Sequence, residues 1–323
     1  MGRPLRRGER VLVKERDEIL ATLDPDGTLG GLPFMPEMLQ YAGKELEVHA
    51  RADKTCDTVR MTGTSRQLES TVHLRGVRCD GSAHGGCQAG CLLFWREEWL
   101  RRPDEPPASP PPGRPAVSEQ TLLAQTQAVD EAGEPRYRCQ ATELLKASRH
   151  LSGFDLRQYY KDLRYRNVRL RTLIAGLAIT AFNKYQRLSQ RFPRWLQIHG
   201  GSPYPFVQGT GDGSRTPVVD FQPGDLVEIR PKDEIMATLS PANTNRGMWF
   251  DHEMVPYCGQ RARVERKVER IINEATGKMM KLSDCVVLDG VVCTGRYRRF
   301  CQRAITPYWR SAWLRRVEDG ARD

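Results

Sequence analysis

Residues 8–25 and 224–241 are one segment written twice. GERVLVKERDEILATLDP, from Gly8 to Pro25, matches GDLVEIRPKDEIMATLSP, from Gly224 to Pro241, at a constant offset of 216. The register continues through Gly31/Gly247, Phe34/Phe250, Glu37/Glu253, Met38/Met254, Tyr41/Tyr257, Gly43/Gly259 and Val48/Val264. After a net loss of two residues it resumes at 214, with Thr62/Thr276, Cys79/Cys293, Cys87/Cys301, Trp95/Trp309 and Trp99/Trp313. A chain duplicated in this way folds as two copies of one module plus the material between them. A unit of roughly 95 residues is large enough to bury its own core.

Each copy carries mostly β signals. ERVLVK and DLVEIR alternate apolar and polar residues, and TVHLRGVRC and CVVLDGVVC are β-rich runs bounded by turn residues. DEILATL and DEIMATL suit one or two helical turns after the first strand, because Ile19 and Leu23 stand four apart. The expected fold is α+β: two small, strongly bent antiparallel barrels joined by a helical insert. In strand pattern each barrel is similar to the Src-homology-3 (SH3-like) barrels. The expected boundaries are 1–102 for the first barrel, 103–117 for a Pro-rich linker, 118–200 for a basic helical segment, 201–223 for a flexible lead-in and 224–318 for the second barrel.

The insert differs from both barrels. PDEPPASPPPGRP, from Pro103 to Pro115, excludes a helix or central strand and predicts an extended linker. Ser118 is placed to cap a short helix, Asp155 to cap LRQYYKDLRYR, and the longest helix is expected from Val168 to Arg191. On that helix Leu170, Leu173, Ile174, Leu177, Ala181 and Leu188 share a face, which is expected to dock on the barrels.

Net charge is +10 for the whole chain. From Arg136 to Arg194 there are fourteen Lys or Arg against three acids, a balance of +11, so the remainder sums to −1. The basic character therefore belongs to one segment. Its exposed candidates, Arg169, Arg171, Lys184 and Arg187, make nucleic acid or an anionic membrane surface the alternative partners to a protein. No run approaches the roughly 18 apolar residues of a membrane span, and no leader peptide is evident, so a cytoplasmic protein is expected.

Nine cysteines in such a compartment read as ligands in preference to disulfides. In the first copy Cys56, Cys79, Cys87 and Cys91 surround a Gly-rich loop holding His84, and a zinc ion bound by these residues is the leading expectation. An iron–sulfur cluster on the same thiols is the alternative. CDGSAH resembles the CDGSH iron–sulfur motif in letters, but four residues separate Cys79 from His84 and the motif's upstream Cys-x-Cys pair is absent. The second copy keeps Cys293 and Cys301 and adds Cys258 and Cys285, a second candidate site. It has Ile272 and Ile305 where Cys56 and Cys91 stood. Cys139 fits no ligand pattern and is expected to be structural.

FWREEWLRR and YWRSAWLRR pair Trp with Arg, but tryptophans four apart most simply pack inside a barrel. No P-loop, G-x-S-x-G elbow or H-E-x-x-H motif is present in the sequence. The paired DEI-ATL, F-x2-EM-x2-Y-x-G and YWR-x2-WLRR strings resemble an uncharacterised bacterial family with two Cys-bearing barrels around a helical insert, a resemblance that implies no activity. The function expected is that of a metal-binding scaffold or accessory module, for instance to a biosynthetic enzyme. A metal-dependent or iron–sulfur redox enzyme, and a binder of nucleic acid or anionic surfaces, are the alternatives.

Overall fold

The computed structural model describes residues 3–61, 63–106, 117–213 and 218–317. Most of the predicted Pro-rich linker lies outside the described residues. The fold contains helices and antiparallel sheets, as the α+β expectation required. The chain forms two compact units. The first contains Met1–Arg169, Arg270–Lys281 and Cys301–Ile305, and the second contains Leu170–Glu269, Leu282–Phe300 and Thr306–Asp323. The units thus do not follow the repeat boundaries, because two pieces of the second copy belong to the first unit.

In the first unit a five-stranded antiparallel sheet runs in the order Leu92–Arg96, Thr71–Arg78, Glu45–Arg51, Arg10–Val13, Leu100–Arg101. The second unit repeats that order with Trp309–Arg310, Cys285–Leu288, Arg261–Lys267, Leu226–Ile229 and Leu314–Arg316. Their cores are built from equivalent residues. Val11, Val13, Ile19, Phe34, Met38, Trp95 and Trp99 are buried in one, and Val227, Ile229, Ile235, Phe250, Met254, Trp309 and Trp313 in the other. Phe34 stands edge-on to Trp99 at 5.0 Å and Phe250 edge-on to Trp313 at 5.3 Å, the offset geometry that aromatic quadrupoles favour.

The first unit also holds two hairpins. One pairs Lys54–Cys56 with Ser65–Gln67, and the other pairs Arg270–Ile272 with Met279–Lys281. Cys56 faces Ser65, and Ile272 faces Met279. The offset is therefore 216 on the first strand and 214 on the second, which places the two-residue deletion in the hairpin tip.

Ser118 caps the helix Glu119–Gln125 by accepting from the Thr121 N–H, and the Asp155 carboxylate accepts from the Arg157 N–H at the start of Arg157–Arg164. The longest helix, Leu170–Ser189, differs from expectation in the face it buries. Leu170, Ile174, Leu177 and Leu188 are exposed, while Leu173, Gly176, Gln186 and Ser189 are buried. Packing here is set by close approach and amide bonding. A Cβ at Gly176 would lie 2.3 Å from the Phe300 ring, and the Gln186 amide donates to the carbonyls of Ile198 and Ser202. Among the described residues no helix is long and apolar enough to cross a membrane.

Candidate metal centre

The first-unit site grows from a 3-10 helix, Pro36–Tyr41, which carries Glu37, and from the loop that follows strand Thr71–Arg78. Cys79 sits at the base of that loop, its N–H donating to the Cys91 carbonyl at 2.8 Å. The chain then turns tightly, with the N–H groups of His84 and Gly86 both donating to the Gly81 carbonyl. Gly81 has φ +75°, and a Cβ there would fall 2.0 Å from the Cys87 carbonyl oxygen, so only glycine permits the turn. The turn brings His84 back over Cys79.

Among the described residues, the donor atoms of Glu37, Cys79 and His84 lie within 4.8 Å of one another. The Cys79 Sγ is 3.2 Å from Glu37 Oε1 and 3.4 Å from His84 Nε2, and His84 Nδ1 is 3.6 Å from Glu37 Oε1. Zinc bonds of about 2.0–2.3 Å at tetrahedral angles set ligand atoms about 3.3–3.8 Å apart. Glu37 is 7% exposed and His84 1%, yet Glu37 Oε2 and His84 Nδ1 have no hydrogen-bond partner among the described residues. Leaving such groups buried and unsatisfied costs about 1–3 kcal/mol each.

Burial pushes the Glu37 carboxyl and the Cys79 thiol up and draws His84 down to about 4. Without a cation all three groups are thus held toward their neutral forms. A divalent ion reverses that preference for the acids, since a coordinated thiol gives up its proton.

The equivalent place in the second unit is closed by protein alone. Glu253, the counterpart of Glu37, accepts from Thr294 N–H at 3.2 Å, Thr294 Oγ1 at 2.9 Å and Tyr297 N–H at 2.6 Å. Arg298 stands where the first copy has His84, and its guanidinium pairs with Asp251. An arginine cannot ligate a cation.

Among the described residues, no other predicted ligand joins this group of three donors. Cys56 donates its N–H to the Cys301 Sγ at 3.1 Å, and Ile272 donates its N–H to the Cys87 Sγ at 3.4 Å. The Cys56 thiol, hydrogen-bonded to Cys301, draws Cys301 down to about 6 against its burial, with the Arg303 backbone N–H and guanidinium assisting. Burial pushes Cys91 up to about 11 and Cys139 up to about 12. Cys79, His84, Cys87, Cys91 and Cys139 all line one pocket of about 30 Å³, which also meets Arg303. Of the second predicted set, Cys285 donates to the Ser283 carbonyl, burial raises Cys258 to about 11, and Cys293 and Cys301 belong to different compact units. Arg169, Arg171, Lys184 and Arg187 are all exposed.

Glu37 is the member of this candidate group that cysteine and histidine spacing does not show. Its signal was present as a glutamate at the same place in both copies, buried in each. A residue that recurs in a duplicate most simply maintains the fold, whereas here the two copies differ in what surrounds it. Compared with known proteins, the chain matches no family model, no curated protein and no solved structure.

Proposed function

We propose that this is a zinc-binding protein of two SH3-like barrels, acting as a scaffold or accessory module, with the ion held by Glu37, Cys79 and His84. The contrast between Glu37 and Glu253 carries this reading. The same buried carboxylate has three protein donors in one copy, while in the other it keeps an unpartnered oxygen beside a thiol and an imidazole. A mixed oxygen, sulfur and nitrogen donor set suits zinc better than an iron–sulfur cluster, which takes thiolates in greater number. Nine free cysteines accord with a reducing compartment such as the cytoplasm. Bacterial origin and membership of the resembled family are part of the same proposal.

The test is elemental analysis with an absorption spectrum on anaerobically purified protein. About one zinc per chain and no visible colour is the expected result. Iron with sulfide and a brown colour, or a metal-free protein of undiminished stability, would overturn it.

One observation favours a second reading. Cys79 and His84 line the 30 Å³ pocket, so an ion bound there would keep a coordination position facing that space. Three protein ligands and one open position is the arrangement of zinc sites that activate water. Cobalt substitution separates the readings: a d–d spectrum that shifts on adding a small anion such as azide marks an open position, and an unresponsive spectrum marks a closed, structural ion.

A further inference from the structure

A second pocket, of about 150 Å³, lies on the same unit and away from the metal centre. It is formed where the end of strand Glu45–Arg51 and the first hairpin meet strand Arg149–Leu151 and helix Arg157–Arg164. Its lining is polar, and its charges sort into two classes. Inside, Arg51 pairs with Asp53 and Lys54 with Asp162, so these four cancel. The third acid, Asp155, spends Oδ1 on the Arg157 N–H.

Three cations, Arg149, Arg157 and Lys161, remain against that one acid, so the lining carries an excess of two positive charges. Arg157 and Lys161 are four apart on one helix and therefore lie on the same face. Arg149 pairs with Glu69, both side chains being 67% exposed, and an ion pair that wet holds little. Two residues of the lining also hold a buried side-chain oxygen with no donor among the described residues. Gln158 is 5% exposed, its amide nitrogen donates to the carbonyls of Ser152 and Asp155, and its Oε1 has no partner. Because both Nε2 hydrogens are committed, the amide cannot flip to relieve that oxygen. Asp53 gives Oδ2 to Arg51 and keeps Oδ1 unpartnered.

Cations in excess beside unpaired acceptors describe a ligand with an anionic end and neutral donors next to it. A site of about 150 Å³ takes a ligand of small-metabolite size, such as a phosphate with the carbons and hydroxyl next to it. We propose that this pocket binds a small phosphate monoester bearing a hydroxyl beside the phosphorylated carbon. Arg149, Arg157 and Lys161 hold the phosphate, and Asp53 or Gln158 accepts the single hydrogen of the hydroxyl. The planar forks of the two arginines suit a tetrahedral oxyanion.

Calorimetric titration of the full-length protein with glycerol 3-phosphate, inorganic phosphate and glycerol tests it. Glycerol 3-phosphate is expected to bind saturably, inorganic phosphate more weakly and glycerol not at all. Replacing Arg157→Ala together with Lys161→Ala, both outside the core, should weaken the phosphate ester about ten- to a hundred-fold while circular dichroism stays unchanged. Inorganic phosphate binding as tightly as the ester would remove the hydroxyl half of the assignment. No binding of either, or binding indifferent to the double substitution, would remove the site. Sedimentation with phosphatidylglycerol vesicles separates a soluble ester from a lipid headgroup: the protein is expected to stay in solution, and retention on vesicles without binding of the soluble ester overturns the proposal.

Discussion

Cys56 and Cys301 are 245 residues apart, and the backbone N–H of the first donates to the sulfur of the second at 3.1 Å. The duplication makes this half of a reciprocal pair. Ile272, the counterpart of Cys56, donates its N–H to Cys87, the counterpart of Cys301, at 3.4 Å. In the first unit each copy's hairpin therefore grips the loop cysteine of the other copy. Divergence of the two copies assigned a buried glutamate to different work in each copy.

That divided use of glutamate can be measured. Glu37→Gln or His84→Ala should drop bound zinc from about one per chain to near zero, because three ligands are few enough that each is needed. Glu253→Gln should leave zinc content unchanged and still cost about 1–3 kcal/mol, since one oxygen of Glu253 accepts two donors and an amide nitrogen cannot replace it. Metal analysis beside urea unfolding checks both. Loss of zinc in the Glu253 variant, or its retention in both first-unit variants, contradicts the assignment.

Much of this was legible in the sequence for a plain reason: periodicity and duplication are local or translational patterns. Alternation in ERVLVK and the 216 offset read directly as a strand and a repeat. Ligand sets are different, because they depend on which loop meets which. Cys56 and Cys87 share a copy, yet each is bonded from the opposite copy, and no spacing rule encodes that exchange. The long helix shows a second limit. Its leucines share a face, but Gly176 and Gln186 decide the packing, one by allowing a ring to approach and the other by bonding two carbonyls.

Trp99 and Trp313 test the equivalence of the two cores. The Trp99 indole N–H donates to Thr22 Oγ1 at 3.1 Å, and that of Trp313 to Thr238 Oγ1 at the same distance. Each threonine hydroxyl donates on to the carbonyl three residues back, Ile19 or Ile235. Thr22→Val and Thr238→Val should each cost about 1–3 kcal/mol, since each leaves a buried N–H unpaired in an isosteric site. The two costs should add in the double variant, as the sites belong to separate units. Chemical denaturation followed by tryptophan fluorescence gives these values; a cost below about 0.5 kcal/mol at either position would show that water takes over the indole.

His73 predicts a pH dependence. It is fully buried, its Nδ1 donates to the Leu93 carbonyl at 2.8 Å, and its Nε2 has no partner among the described residues, so a proton added there would be buried without an acceptor. Burial draws it down to about 3 from an ordinary 6.5. Between those values the unfolded chain binds the proton and the folded chain does not. Its contribution is therefore complete above about pH 6.5 and lost as pH falls toward 3, at up to about 1.4 kcal/mol per pH unit. Urea midpoints for the native protein should fall more between about pH 7 and 4.5 than those of His73→Gln, which has no proton to gain. Parallel curves for the two proteins would mean that His73 titrates normally.

Arg303 presents the sharpest electrostatic demand. Its side chain is 2% exposed, and its guanidinium donates to Glu274 Oε1 at 3.1 Å and to the hydroxyl of Thr58, which in turn donates to Glu274. Thr58 and Glu274 each stand two residues past their hairpin strand, so one position of the repeat meets its own counterpart here. Burial opposes the arginine's charge, and Glu274 with the nearby thiols of Cys91, Cys56 and Cys301 overcomes it. Glu274→Gln leaves that cation without its carboxylate and should cost about 3 kcal/mol, with zinc content unaltered because Glu274 is not a ligand. Combining it with Arg303→Met should recover most of the loss, because the penalty comes from the charge left behind and not from the missing pair. If the double variant is less stable than Glu274→Gln alone, the arginine is held by the thiols and packing, and Glu274 is incidental to it.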